Sequence, residues 1–185
     1  RGEYLFYTAT EESPLTKNLY RLNVKEISEE PDESKEKSKR VTQVFQLLNT
    51  KVSSSGSSVI DTFSGPDNPR TVQLIETRTG KTKTLLQAAD PLSEYAVGKL
   101  KIFRLKNSNS DELYCRMFTP VNFDSTKKYP VVVYWYGGPH AQMILNSWNG
   151  GSGDYWFQYM AERGYIVFTM DTRGSDTRGK DFEQS

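Results

Sequence analysis

Hydrophobic and polar positions alternate in short runs through the first two thirds of the chain. Residues 3–9, 17–24, 41–48, 58–63, 71–77 and 82–86 read as strands, separated by connectors rich in Ser, Gly, Asn and Pro. A further pair, 100–105 and 112–119, is joined by the polar turn 106–111. Between the second and third runs, residues 25–40 (KEISEEPDESKEKSKR) carry mixed charge without apolar periodicity and are expected to form an exposed loop. Closely spaced strands with short turns fit a propeller blade or a sandwich equally well. No Trp-Asp or kelch repeat is present, so the pattern specifies antiparallel β and nothing finer.

The pattern changes at Tyr129. Residues 129–136 (YPVVVYWY) are nearly continuously apolar, which suits a strand covered on both faces. The run leads directly into Gly137-Gly138-Pro139, a sharp turn that lets backbone approach a ligand. Within 154–163, Trp156, Tyr159, Met160 and Arg163 follow helical spacing, with Asp154 favouring the helix start and Gly164 suited to its end. A second apolar strand, 165–170, ends at Asp171. Strand, turn, helix and strand together predict a βαβ unit whose two strands share one sheet. The expected fold class is mixed: antiparallel β over 1–110, then the start of an α/β domain over 111–185.

Composition narrows the functional classes. Lysine and arginine number 24 against 23 acidic residues, a net charge of +1, so no global field favours nucleic acid or an acidic membrane. No apolar run reaches the roughly eighteen residues of a membrane span. Cys115 is the single cysteine and sits in a strand-like run, so it is expected to be a buried, inert thiol. Neither end carries a start, signal or stop pattern, and the chain is expected to be cut from a larger protein.

A serine hydrolase of α/β type needs a Gly-x-Ser-x-Gly elbow, and the sequence has none. Gly150-Gly151-Ser152-Gly153-Asp154 comes nearest but has Asp in the final position and leads into a helix. His140 is the only histidine, with no second ligand at metal spacing, so no metal or other cofactor is expected. The turn after the apolar strand carries more. In α/β-hydrolases this loop supplies one oxyanion donor. Here Tyr136-Gly137-Gly138-Pro139 takes its place, and Tyr136 either packs at the strand end or donates from its hydroxyl to developing oxyanion charge.

Residues 129–142 (YPVVVYWYGGPHAQ) resemble the first hydrolase segment of the prolyl oligopeptidase family, in its dipeptidyl peptidase IV branch. They are most similar to bacterial dipeptidyl and prolyl tripeptidyl aminopeptidases. Trp148, residues 159–165, the Asp171-Thr172-Arg173-Gly174-Ser175 turn and residues 178–184 extend the resemblance. Residues 8–14, Val59-Ile60-Asp61 and Pro69-Arg70 resemble the last propeller blades.

The resemblance implies terminal blades of a β-propeller over 1–110 and the opening of an α/β-hydrolase domain over 111–185. It implies a parent serine exopeptidase that releases di- or tripeptides after proline. Tyr136 would be its side-chain oxyanion donor, and Arg173 a structural support. Nucleophile, acid and base would lie outside this chain, which alone would be inactive. Implied partners are peptides with proline near the N-terminus and, for the full-length protein, a second copy. The implied location is periplasmic or secreted. An acylaminoacyl peptidase or esterase of the same fold, and a non-catalytic scaffold, are the alternatives. Unpaired strand edges predict self-association of the isolated chain.

Overall fold

A computed structural model describes residues 3–26, 38–43, 45–138, 140–153 and 155–184. Most of the charged segment 25–40, together with Pro139 and Asp154, therefore lies outside the described residues. The chain divides into two compact units, Arg1–Ala88 and Ala89–Ser185.

The first unit holds two antiparallel sheets. One has the order β1 (Tyr4–Ser13), β2 (Thr16–Asn23), β3 (Lys39–Arg40). The other runs β4 (Gln46–Val52), β5 (Ser58–Gly65), β6 (Asn68–Glu76), β7 (Thr82–Gln87) in simple up-and-down order. Alternation decides which side chains turn inward: Val59, Asp61 and Phe63 on β5 are buried, while Ile60 is exposed. Leu19, Val59 and Ile75 form the core, with Phe6, Val41, Leu47 and Val52 packed around it.

Two sequence expectations shift here. The β5–β6 hairpin closes at Gly65 and Asn68, so Pro69 lies inside β6 and not in the connector. The strand expected over 41–48 begins at Gln46. Val41 instead donates its N–H to Leu19 O, and the Thr42 hydroxyl accepts the Leu19 N–H, continuing the pairing of β3 along the middle of β2.

The second unit contains one four-stranded sheet ordered β10-β11-β9-β8. Strands β8 (Leu100–Lys106) and β9 (Glu112–Phe118) form an antiparallel hairpin. Strand β11 (Ile166–Met170) is antiparallel to β9 and parallel to β10 (Val131–Val133). The β10–β11 crossover contains helix α1 (Trp156–Glu162), giving the βαβ unit expected from the sequence. A short helix α2 (Lys180–Glu183) follows. Because β8 pairs with β9 along its length, it belongs to this unit, and the compact units divide at Ala88/Ala89 where the sequence suggested 110/111.

Helix α1 covers one face of the sheet through Phe157 and Ala161, which pack on Phe118 and Val167 with Leu100, Val132 and Met160 alongside. The buried face therefore differs from the expected stripe, since Trp156 and Tyr159 are exposed. Gly164 ends the helix at φ 87°, as a C′ glycine does. Strand β10 is an edge strand, and Val131 and Val133 point away from α1, 55% and 59% exposed. A strand covered on both faces was expected, but within the described residues only the Val132 side is covered.

Candidate functional site

Strands β10 and β11 are parallel, so their C-terminal ends open on the same edge of the sheet. That is where open α/β sheets place ligands. Two loops leave this edge: 134–147 after β10 and 171–179 after β11. The Tyr134 N–H still donates to Phe168 O at 2.8 Å, extending the ladder by one residue before the chain turns.

Tyr136 stands at the turn, 58% exposed. Its ring folds back over Gly138: a Cβ added there would come within 2.5–2.6 Å of the ring's Cε1, Cζ and hydroxyl oxygen. Glycine is thus required at 138 for this placement of the ring. Ala141 N–H donates to Gly138 O, closing the turn. His140 adopts a left-handed φ of 60° and donates its N–H to Gly174 O at 3.3 Å, which ties the two loops together. Its imidazole Nδ1 lies 3.6 Å from Glu183 Oε2. The Thr177 hydroxyl and Gln142 Oε1, 3.1 Å apart, make a further tie.

Beneath this edge lie two buried charges that the sequence reading did not single out. Arg116, on β9, is 1% exposed and donates to Gly150 O at 2.7 Å, Met143 O at 3.1 Å and the Thr169 hydroxyl at 3.4 Å. Its guanidinium also lies over the Phe157 and Phe118 rings. Burial pushes its pKa down to about 10, so it remains charged at neutral pH. Asp171 follows β11 and accepts the Met143 and Ile144 N–H groups at 2.7 and 3.2 Å. Burial raises its pKa, opposed by those two N–H bonds and by the charges of Arg116 and Arg178. A lone arginine within the otherwise apolar run 113–118 (LYCRMF) was the available signal for this pair.

Of the remaining sequence candidates, Arg173 lies on the second loop and makes an ion pair with Asp111 at 3.4 Å, half-exposed. Cys115 is fully buried, and burial pushes its thiol up to about 11. Ser152 follows the kinked 3₁₀ segment Trp148–Gly151 and sits on no strand-to-helix elbow. A 740 Å³ cavity between 91–97 and α1 has none of residues 134–144 in its lining. Among the described residues, no group of three or more His, Cys, Asp or Glu could hold a metal ion, and no helix is long and apolar enough to cross a membrane.

A family model described as the dipeptidyl peptidase IV N-terminal region matches residues 1–70. Human dipeptidyl peptidase 8 is 29% identical across 97% of this chain, which spans 20% of that protein. The crystal structure of Porphyromonas gingivalis dipeptidyl peptidase 4 superposes with a TM-score of 0.82 at 26% identity, covering 97% of this chain and 24% of that one. A Bacteroides ovatus protein assigned as a dipeptidyl aminopeptidase IV gives a TM-score of 0.79 at 32% identity, over all of this chain and 27% of its own. The chain thus spans a quarter or so of its relatives. Matching family model, relatives and solved structures agree, and the chain belongs to the dipeptidyl peptidase IV family.

Proposed function

We propose that this chain is part of a serine exopeptidase that releases di- or tripeptides from peptide N-termini after proline, with Tyr136 as an oxyanion donor. The observation that carries the reading is the Tyr136-Gly137-Gly138 turn at the C-terminal end of a parallel strand, with an exposed phenol seated over a glycine. Family membership supplies the reaction class.

In this mechanism a serine elsewhere in the parent protein, giving its proton to a base that also lies outside these residues, attacks the carbonyl carbon of the proline. The C–N bond to the next residue then breaks as that proton passes to the leaving amine. As the C–O bond gains single-bond character, negative charge collects on the oxygen. The Tyr136 hydroxyl donates a hydrogen bond to that oxygen, alongside a backbone N–H. Such donors act mainly in the transition state, and losing one costs roughly 3–4 kcal/mol in comparable sites. The family resemblance assigns the general base, like the nucleophile, outside these residues, and His140 lies beside Glu183. The chain alone is expected to be silent. The same reading carries the expectation of a periplasmic or secreted protein acting as a homodimer.

The test is a panel of chromogenic amides offered to the full-length protein: Gly-Pro, Ala-Ala-Pro, N-acetyl-Ala, and a simple ester. Cleavage of a proline amide with a free amino terminus is the expected result, and the preferred length separates dipeptide from tripeptide release. Turnover of the acetylated amide or the ester alone would overturn the proline-exopeptidase reading.

A further inference from the structure

Arg116 sits where a charge is hard to keep. It is fully enclosed, and among the described residues no carboxylate lies within ion-pair distance of it. Taking an ion out of water costs several kcal/mol, and well-packed apolar replacements of buried ions are often as stable or more so. Stability therefore does not account for an arginine here, whereas its bonding pattern does suggest a use. Its donors go to main-chain carbonyls of the loop that follows Tyr136, at Met143 and Gly150. The loop is shaped to receive it: Gly150 has φ 63°, and a Cβ there would stand 2.8 Å from Arg116 Cδ.

Asp171 grips the same loop with the opposite polarity. Met143 gives its N–H to Asp171 and its carbonyl to Arg116, so one residue is held by an anion and a cation. Ile144 gives its N–H to Asp171 as well and buries its side chain completely. Four residues separate Gly138 from Met143, and Ala141 bonds back to Gly138 within that interval. Gly174, three residues after Asp171, receives the His140 N–H. Both arms of the Tyr136 turn are thus anchored to the Arg116–Asp171 frame.

We propose that Arg116 and Asp171 are positioning residues that fix the Tyr136 turn for oxyanion stabilisation by clamping Met143 from both sides. The inference rests on the assignment of Tyr136 as the oxyanion donor. Arg116 acts here through the backbone and touches no substrate. A displacement of about 1 Å in a catalytic group costs up to roughly 100-fold in rate.

The experiment is a double-mutant cycle in the full-length protein, with kcat and KM measured on the best proline amide. Arg116→Met is expected to lower kcat by roughly 10- to 100-fold with KM little changed. In a Tyr136→Phe background it should add little, because its effect passes through that hydroxyl. Arg116→Lys keeps enough donors for the two carbonyls that Nη1 serves but loses the Nη2 bond to the Thr169 hydroxyl and the planar stacking over Phe157, so it should recover only part of the loss.

Hydrogen exchange on the full-length protein supplies a reading independent of activity. In Arg116→Met the Met143 and Ile144 amides should lose protection while β8, β9 and β11 keep theirs. Should Arg116→Met not fold, Asp171→Asn takes its place in both measurements, with the same expected pattern. A kcat that holds in Arg116→Met while Tyr136→Phe is damaging overturns the clamp alone. An unaffected Tyr136→Phe overturns the underlying assignment instead. Unchanged protection at Met143 and Ile144 overturns the clamp whatever the kinetics.

Discussion

Asp61 offers a direct test of the energetics of the first unit. Its carboxylate is completely buried on β5, where Oδ2 accepts the Gln73 Nε2–H at 3.0 Å and Oδ1 has no hydrogen-bond partner among the described residues. Burial raises its pKa above the ordinary 3.8, only partly offset by the Gln73 bond. Between 3.8 and the raised value, the folded chain holds a proton that the unfolded chain has released. Asp61 therefore favours folding most below the unfolded value, and that advantage is lost as pH rises through the folded value. Each unit of displacement is worth about 1.4 kcal/mol.

Asp61→Asn removes the titration, keeps an acceptor for Gln73 and leaves an unpartnered amide N–H₂, which costs about 1–3 kcal/mol. The variant should equal or exceed the wild type at pH 7 and fall behind it as the pH approaches 4. Urea titrations followed by far-UV circular dichroism at pH 4, 5, 6 and 7 measure this. With m near 1–3 kcal/mol/M, a change of about 1 kcal/mol moves the midpoint by roughly 0.3–1 M. A wild-type to Asp61→Asn difference that stays constant across this range would refute the argument.

Three other expectations follow from single features of the fold. Cys115, buried with its thiol pushed up to about 11, should resist iodoacetamide at pH 8 in the native chain and react fully in denaturant; rapid native labelling would contradict its placement. Gly138→Ala should push the Tyr136 ring aside and lower kcat of the full-length protein by roughly 10- to 100-fold, an unchanged kcat counting against the described turn. The 185-residue chain, with Val131 and Val133 exposed on the edge strand β10, should gain mass with concentration in light scattering, and Val131→Lys with Val133→Lys should suppress this; a monodisperse wild-type monomer would contradict it.

Much of the architecture was legible because alternation and turn residues act locally. Val59, Asp61 and Phe63 turn inward together on β5 as period two requires, and Gly164 closes α1 as its position suggested. The errors arose where tertiary contact decides. Nothing in residues 41–48 announces that Val41 and Thr42 would bond to Leu19 in the middle of β2, and the short apolar run at 129–136 could not reveal that Val131 and Val133 face away from α1. Tyr136 was singled out because its turn has a readable form. Arg116 and Asp171 escaped because they bond to main-chain groups of a distant loop, which leaves no side-chain pattern between the partners.

The central claim is that Tyr136 stabilises oxyanion charge in a proline-directed exopeptidase. The most direct measurement is kcat for the preferred proline amide with the full-length protein, wild type beside Tyr136→Phe, which removes one oxygen and keeps the ring over Gly138. Loss of one oxyanion donor predicts a fall in kcat of roughly 100- to 1,000-fold with KM little altered. A kcat within twofold of wild type would contradict the account and leave Tyr136 as a side chain packed against its glycine.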